Sequence, residues 1–207
     1  KGVTVAIGHT AADARVIQEA VRAGAGLSTH LGVGSHHLLP RLKNYVWEQL
    51  AEDALSASII ADGYHLPKSV IKVFARAKGF PGLILASDAS PIGGLPRGVH
   101  KWGDIDVEVF EDGHLGVAGT QTLAGAAHLL DWDLPRFVEA TGCSLAEALR
   151  LCTWNPARIL GVENELGRLE VGAPAHLVQF RYTAGEKRLR IGTVIRSGTK
   201  LAMENHS

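Results

Sequence analysis

The chain has 207 residues, of which 46% are hydrophobic and 20% charged, a composition suited to a folded protein long enough to bury a core. Its 21 Lys and Arg offset 21 Asp and Glu, so nothing in the charge balance calls for nucleic acid or an anionic membrane as partner. No apolar run is long enough to span a bilayer, no signal peptide opens the chain, and two cysteines are too few for a disulfide framework; the expected location is cytoplasmic.

The first elements alternate strand and helix. Residues 3–8 form a short apolar, β-branched run that ends at His9. Residues 11–23 carry Val16, Ile17, Ala20 and Val21 at helical spacing and close at Gly24. Residues 26–30 read as a second strand, followed by a Gly- and His-rich loop over 31–41. A helix is expected over 44–53, then a third strand over 57–61 that leads into Asp62-Gly63-Tyr64-His65. Pro67 suits the first turn of a helix running to about Lys78. Residues 82–87 make a fourth strand that runs into Asp88. Apolar strands separated by helices, with polar residues at their C-terminal ends, predict a parallel sheet and an α/β fold.

Beyond Asp88 the pattern changes. Residues 91–98 read as a Gly/Pro loop, and residues 106–110 and 115–117 as a β-hairpin turning at Asp112-Gly113. Residues 119–125 form a loop leading into a helix. Helices are expected over 134–141 and 144–153, the second with Ser144 and Glu147 as a capping box. Cys143 and Cys152 are placed in this apolar helical stretch as buried free thiols. Asn155-Pro156 opens a short helix to Leu160, and residues 167–180 and 191–200 read as short strands with Gly turns.

Four polar residues close the four apolar strands in turn: His9, His30, His65 and Asp88. In a parallel α/β barrel the C-terminal strand ends converge on the active site. Histidine is a good ligand for zinc and similar metals, and a carboxylate can act as ligand or as general base. One such residue carries little weight; each could cap its strand by hydrogen bonding, but four in succession are hard to obtain by chance.

The segments Gly8-His9-Thr10-Ala11-Ala12, Thr29-His30-Leu31, Ala61-Asp62-Gly63-Tyr64-His65-Leu66 and Ser87-Asp88-Ala89 resemble, in order and spacing, the motifs of the N-acetylglucosamine-6-phosphate deacetylase family within the amidohydrolase superfamily. Gly119-Thr120 through Leu123-Ala124-Gly125, and Asn155-Pro156-Ala157-Arg158, follow in the same order. The resemblance implies the C-terminal half of a (β/α)8 TIM-type barrel, about four βα units over residues 1–164, followed by strands of a small β-sandwich domain over 165–207. It implies a hydrolase that removes the acetyl group from an amino sugar with the help of a divalent metal, zinc in the usual case. By position, His9 and His30 match metal ligands and Asp88 matches the catalytic aspartate. His65, Arg41, Gly119, Thr120 and Leu123 match substrate-binding positions, although the 119–125 loop reads equally well as a tight glycine turn.

The resemblance also has gaps. The chain starts where the fifth barrel strand would stand, so the family's glutamate ligand has no counterpart; a fragment of a longer product, or a homodimer that covers open strand edges, is expected. Val33 stands where the family has a phosphate-binding asparagine, which leaves the substrate's phosphate in question. His36 and His37 are either polar-group ligands or surface residues, and His176 replaces an aspartate in a structural motif. Trp47, Trp102, Trp132 and Trp154 are read as packing residues. Two other functions stay open on the sequence: an amidohydrolase for an N-acyl amino acid or cyclic amide, and a catalytically incompetent fragment or oligomerisation partner.

Overall fold

The computed structural model describes residues 2–201. Strands β1 (Val5–Ile7), β2 (Ala25–Ser28), β3 (Ser56–Ile59) and β4 (Leu83–Leu85) form a parallel sheet in the order β1-β2-β3-β4. The chain is thus α/β, as the alternating pattern requires. Strand β4 is buried along its length and β3 nearly so, which explains why they read as continuous apolar runs. The strands stop short of their expected ends because the chain turns away at the polar residues. His30 (φ 29°) and Asp88 (φ 54°) both leave extended geometry.

Helix α1 (Ala14–Arg22) begins three residues later than the apolar spacing predicts. Asp13 Oδ1 accepts from Val16 N at 2.9 Å, and Thr10 Oγ1 accepts from Ala12 N at 3.0 Å, so residues 10–13 become a capped lead-in. Helix α2 (Tyr45–Ala51) starts after Asn44, whose side chain accepts from Val46 N and Trp47 N. Helix α3 (Lys68–Lys78) follows Pro67.

Helix α4 (Leu130–Thr141) starts four residues before the expected position and contains Pro135. Proline cannot donate to the carbonyl four residues back. That carbonyl, of Asp131, instead accepts from Leu189 N at 2.8 Å, so the interruption ties the C-terminal strands to the helix. Gly142, in the left-handed region, ends α4. Cys143 therefore lies between helices rather than within one; it and Cys152 are free.

Helix α5 (Leu145–Cys152) opens with the expected capping box: Glu147 N donates to Ser144 Oγ at 3.2 Å and Ser144 N donates to Glu147 Oε2 at 2.8 Å. Ser144→Ala is expected to cost ~1 kcal/mol, read as a lower urea midpoint with unchanged slope. An unchanged midpoint would mean the box adds nothing. Helix α6 (Trp154–Leu160) is pinned to the sheet by Asn155, whose Nδ2 donates to Phe80 O and Leu83 O, each at 2.7 Å.

Between β4 and α4 lies an antiparallel sheet of β5 (Gly98–Trp102), β6 (Ile105–Val109) and β7 (Leu115–Val117). Strand β5 was not expected: Gly-Val-His-Lys-Trp offers no buried alternation, and pairing with β6 supplies its register. At the chain's end β8 (Leu177–Arg181), β9 (Arg190–Arg196) and β10 (Thr199–Lys200) form a third sheet in the order β10-β9-β8. Only part of 167–180 is strand, and the expected 191–200 strand breaks at Ser197-Gly198, both at positive φ. The main core joins Ile59, Leu85, Phe74, Phe137 and Leu151 with Leu189 from this last segment. Among the described residues no helix is long and apolar enough to cross a membrane.

Candidate active site

His9 and His30 each stand two residues beyond the paired Ile7 and Ser28 of the adjacent strands β1 and β2. The register brings their rings together: the Nε2 atoms are 3.1 Å apart, and the ring centroids are 4.8 Å apart at 64°. His30 is fixed from its backbone, since its N–H donates to Ser58 Oγ at 2.7 Å, and Ser58 Oγ donates to Ser28 O at 3.3 Å. His30 Nδ1 is buried and has no hydrogen-bond partner among the described residues.

Two imidazole nitrogens bound to one tetrahedral zinc ion at ~2.0–2.1 Å would lie ~3.3 Å apart. The observed spacing fits a shared metal, and a cavity of about 20 Å³ bordered by His9, Thr10, His30 and Gly34 leaves room for one small ion or water. Among the described residues no group of three or more His, Cys, Asp or Glu side chains could hold a metal, so the pair supplies two donors. Gly34 closes over His9. A Cβ at that position would lie 2.2 Å from His9 Cδ2 and 2.5 Å from Nε2, closer than atoms can pack.

Asp88 follows β4 and is exposed. Its backbone is locked across the loop: Ala126 N donates to Asp88 O and Ser90 N donates to Ala126 O, each at 2.8 Å. A left-handed aspartate is uncommon and costs backbone energy. Gly125 makes the approach possible, because a Cβ there would sit 3.1 Å from Asp88 O.

His65 is held by Asp62. The Nδ1 of His65 lies 2.7 Å from Asp62 Oδ2, and both side chains are 2% exposed. Asp62 Oδ1 accepts from Tyr64 N at 2.9 Å and His65 N at 3.0 Å. Burial pushes the Asp62 carboxyl up, but the hydrogen bonds and charge of His65, with that of Tyr64 N, outweigh it and hold it below its ordinary value.

A stack of rings that sequence reasoning did not find runs beside this turn. Phe110 lies on His114 (4.1 Å, 3°), His114 on Tyr64 (5.3 Å), Tyr64 near His128 (6.4 Å), and His128 on Trp132 (3.9 Å). Arg136 ends the stack, its guanidinium carbon 3.4 Å from the centre of the Trp132 ring. The spacing of His128, Trp132 and Arg136 at every fourth residue was the available signal. Tyr64 OH donates to Asp112 O at 2.8 Å and Trp132 Nε1 to Asp62 O at 3.0 Å, so the β6–β7 turn and α4 both grip the Asp62–His65 segment.

The remaining candidates lie elsewhere. Arg41 is exposed, with its carbonyl accepting from Trp47 Nε1. Gly119 (φ 74°) and Thr120 form a tight turn in which Thr120 Oγ1 donates to Val117 O and accepts from Thr122 N, and Leu123 bridges back to Gly116. None of Arg41, Gly119, Thr120 and Leu123 borders the small cavity at His9 and His30. His36 is anchored to Tyr45, whose hydroxyl meets both its N–H and its Nδ1.

The profile of the amidohydrolase family matches residues 2–201. The chain is 36% identical over 200 residues to N-acetylglucosamine-6-phosphate deacetylase from Rattus norvegicus, covering 90% of this chain and 48% of that protein. It is 37% identical over 204 residues to the deacetylase of the same name from Homo sapiens, again covering 90% and 48%. Among solved structures, the N-acetylglucosamine-6-phosphate deacetylase from Pasteurella multocida superposes with a TM-score of 0.85 at 30% identity, covering 98% of this chain and 51% of that one. The enzyme from Mycobacterium smegmatis superposes with a TM-score of 0.85 at 28% identity, covering 97% and 52%. The chain thus spans about half the length of the relatives it matches.

Proposed function

The chain belongs to the amidohydrolase family, and from that premise we propose that it carries part of the active site of a deacetylase acting on an N-acetylated amino sugar. The observation that carries this reading is the convergence of His9 and His30 at 3.1 Å, in a chain whose relatives are N-acetylglucosamine-6-phosphate deacetylases. His9 and His30 would hold a divalent metal, zinc in this reading. When bound, such a metal lowers the pKa of water and polarises an amide carbonyl. Asp88 takes a proton from the attacking water and returns it to the departing amine, so acetate and free amino sugar leave together. In this reading His65 contacts the sugar, Arg41 pairs with an anionic group on it, and Gly119, Thr120 and Leu123, which do not border the cavity at His9 and His30, meet parts of the sugar remote from the metal.

The β1-β2-β3-β4 order supports reading residues 1–164 as the second half of a (β/α)8 barrel, with 165–207 contributing to a small β domain; residue 1 and residues 202–207 of these ranges lie outside the described residues. A homodimer in the cytoplasm completes the proposal. Val33 packs partly buried against the core and has no donor for a phosphate, so unphosphorylated sugars belong among the substrates tested.

The test is amine release by the purified protein with added zinc. The substrates are N-acetylglucosamine with and without a 6-phosphate, N-acetyl amino acids and cyclic amides. Turnover of the N-acetylated sugars, falling ~10²–10⁴-fold in Asp88→Asn, is the expected result. Turnover confined to amino acid or cyclic substrates, or undiminished in Asp88→Asn, would overturn it.

A further inference from the structure

We infer that Asp62 is a positioning residue that fixes which ring nitrogen of His65 carries the proton, so that Nε2 meets the substrate as a hydrogen-bond acceptor. The substrate half of this inference rests on the function proposed above; the tautomer half rests on geometry alone. An ionised carboxylate has only acceptor sites. Asp62 spends Oδ1 on the N–H groups of Tyr64 and His65, at 2.9 and 3.0 Å, and turns Oδ2 to His65 Nδ1 at 2.7 Å. With both side chains 2% exposed, water does not compete for that bond. The nitrogen facing Oδ2 must therefore be the donor, and whenever the ring is neutral its lone pair is left on Nε2. A lone pair at that position selects a donor on the ligand, such as a sugar hydroxyl or an amide N–H. The aromatic stack and the Trp132 bond to Asp62 O hold the turn that carries the pair.

Asp62→Asn separates positioning from simple turn-making. Asparagine can keep the backbone bonds only by turning its carbonyl oxygen to Tyr64 N and His65 N. Its NH2 group then faces His65 Nδ1, which must accept, and the ring proton moves to Nε2. A residue that merely shapes the turn would leave the tautomer unchanged.

The experiment is nitrogen NMR of the histidine-labelled protein, with the His65 signals assigned by His65→Gln, alongside steady-state kinetics on the N-acetylated sugars. The expected result is an Nδ1–H ring in the wild type, an Nε2–H ring in Asp62→Asn, and a KM raised about 10-fold with kcat changed far less. An Nε2–H ring in the wild type overturns the inference without any variant having to fold, as does the same tautomer in both proteins. A tautomer exchange with unchanged KM overturns the contact with substrate. A tautomer exchange in a protein that turns over no N-acetylated sugar upholds the positioning and sinks the deacetylase reading.

Discussion

Replacing His9 and His30 together by alanine is expected to abolish zinc binding at this site, and Gly34→Ala is expected to weaken it about 10- to 100-fold with both imidazoles still in the chain. The two nitrogens already stand 3.1 Å apart, within hydrogen-bonding distance of each other, so a metal would enter by displacing the proton they share rather than by moving the backbone. That arrangement depends on the loop backbone lying against the His9 ring. A methyl group on Gly34 would sit 2.2–2.7 Å from three of its ring atoms, inside van der Waals contact. Of the two parties the ring is the movable one, so His9 swings out and its nitrogen leaves the shared position. Equilibrium dialysis against zinc, with elemental analysis of the retained metal, reads both variants. A Gly34→Ala protein that binds like the wild type would show that His9 is free to move without cost. A double variant that still retains zinc would place the metal elsewhere in the chain.

Asp133→Asn is expected to stabilise the protein, and the gain is expected to grow as pH rises. Asp133 is fully buried in α4, and among the described residues neither carboxyl oxygen has a hydrogen-bond partner. Burial, and then the negative charge of Asp62, push its pKa up to about 8 from 3.8. Between those two values the folded protein holds a proton that the unfolded chain has released. Stability from this group is therefore fully present below pH 3.8, declines as pH rises, and is lost above about 8. Asparagine is close in shape to the protonated acid and does not titrate. The variant should match the wild type near pH 4 and exceed it by roughly 3 kcal/mol near pH 8, which discounts the full shift for relaxation around the buried charge. Urea midpoints measured at both pH values decide the matter, and a constant difference between the two proteins would sink the prediction.

Much of the fold was legible because its causes are local. Apolar runs of five or six residues, the first three each leading on to a helical period, placed all four parallel strands, and Ser144 with Glu147 marked the start of α5. The Asp112-Gly113 turn announced the β6–β7 hairpin. The meeting of His9 and His30 could be anticipated as well, since histidines at equivalent ends of neighbouring parallel strands are brought together by register.

What the sequence alone could not determine lies in contacts between distant residues. Strand β5 has no alternation of its own and exists by pairing with β6. Helix α4 passes through Pro135 because Leu189, more than fifty residues on, takes up the carbonyl that proline leaves free. The ring stack from Phe110 to Arg136 draws on three separate segments. Gly34 looked like one glycine among 24 until His9 was seen against it. Local propensity and periodicity determined where the strands, the helices and the chemistry-bearing residues of this protein fall. Tertiary packing alone decided which of those residues touch, because hydrogen bonds and close contacts depend on where distant segments meet.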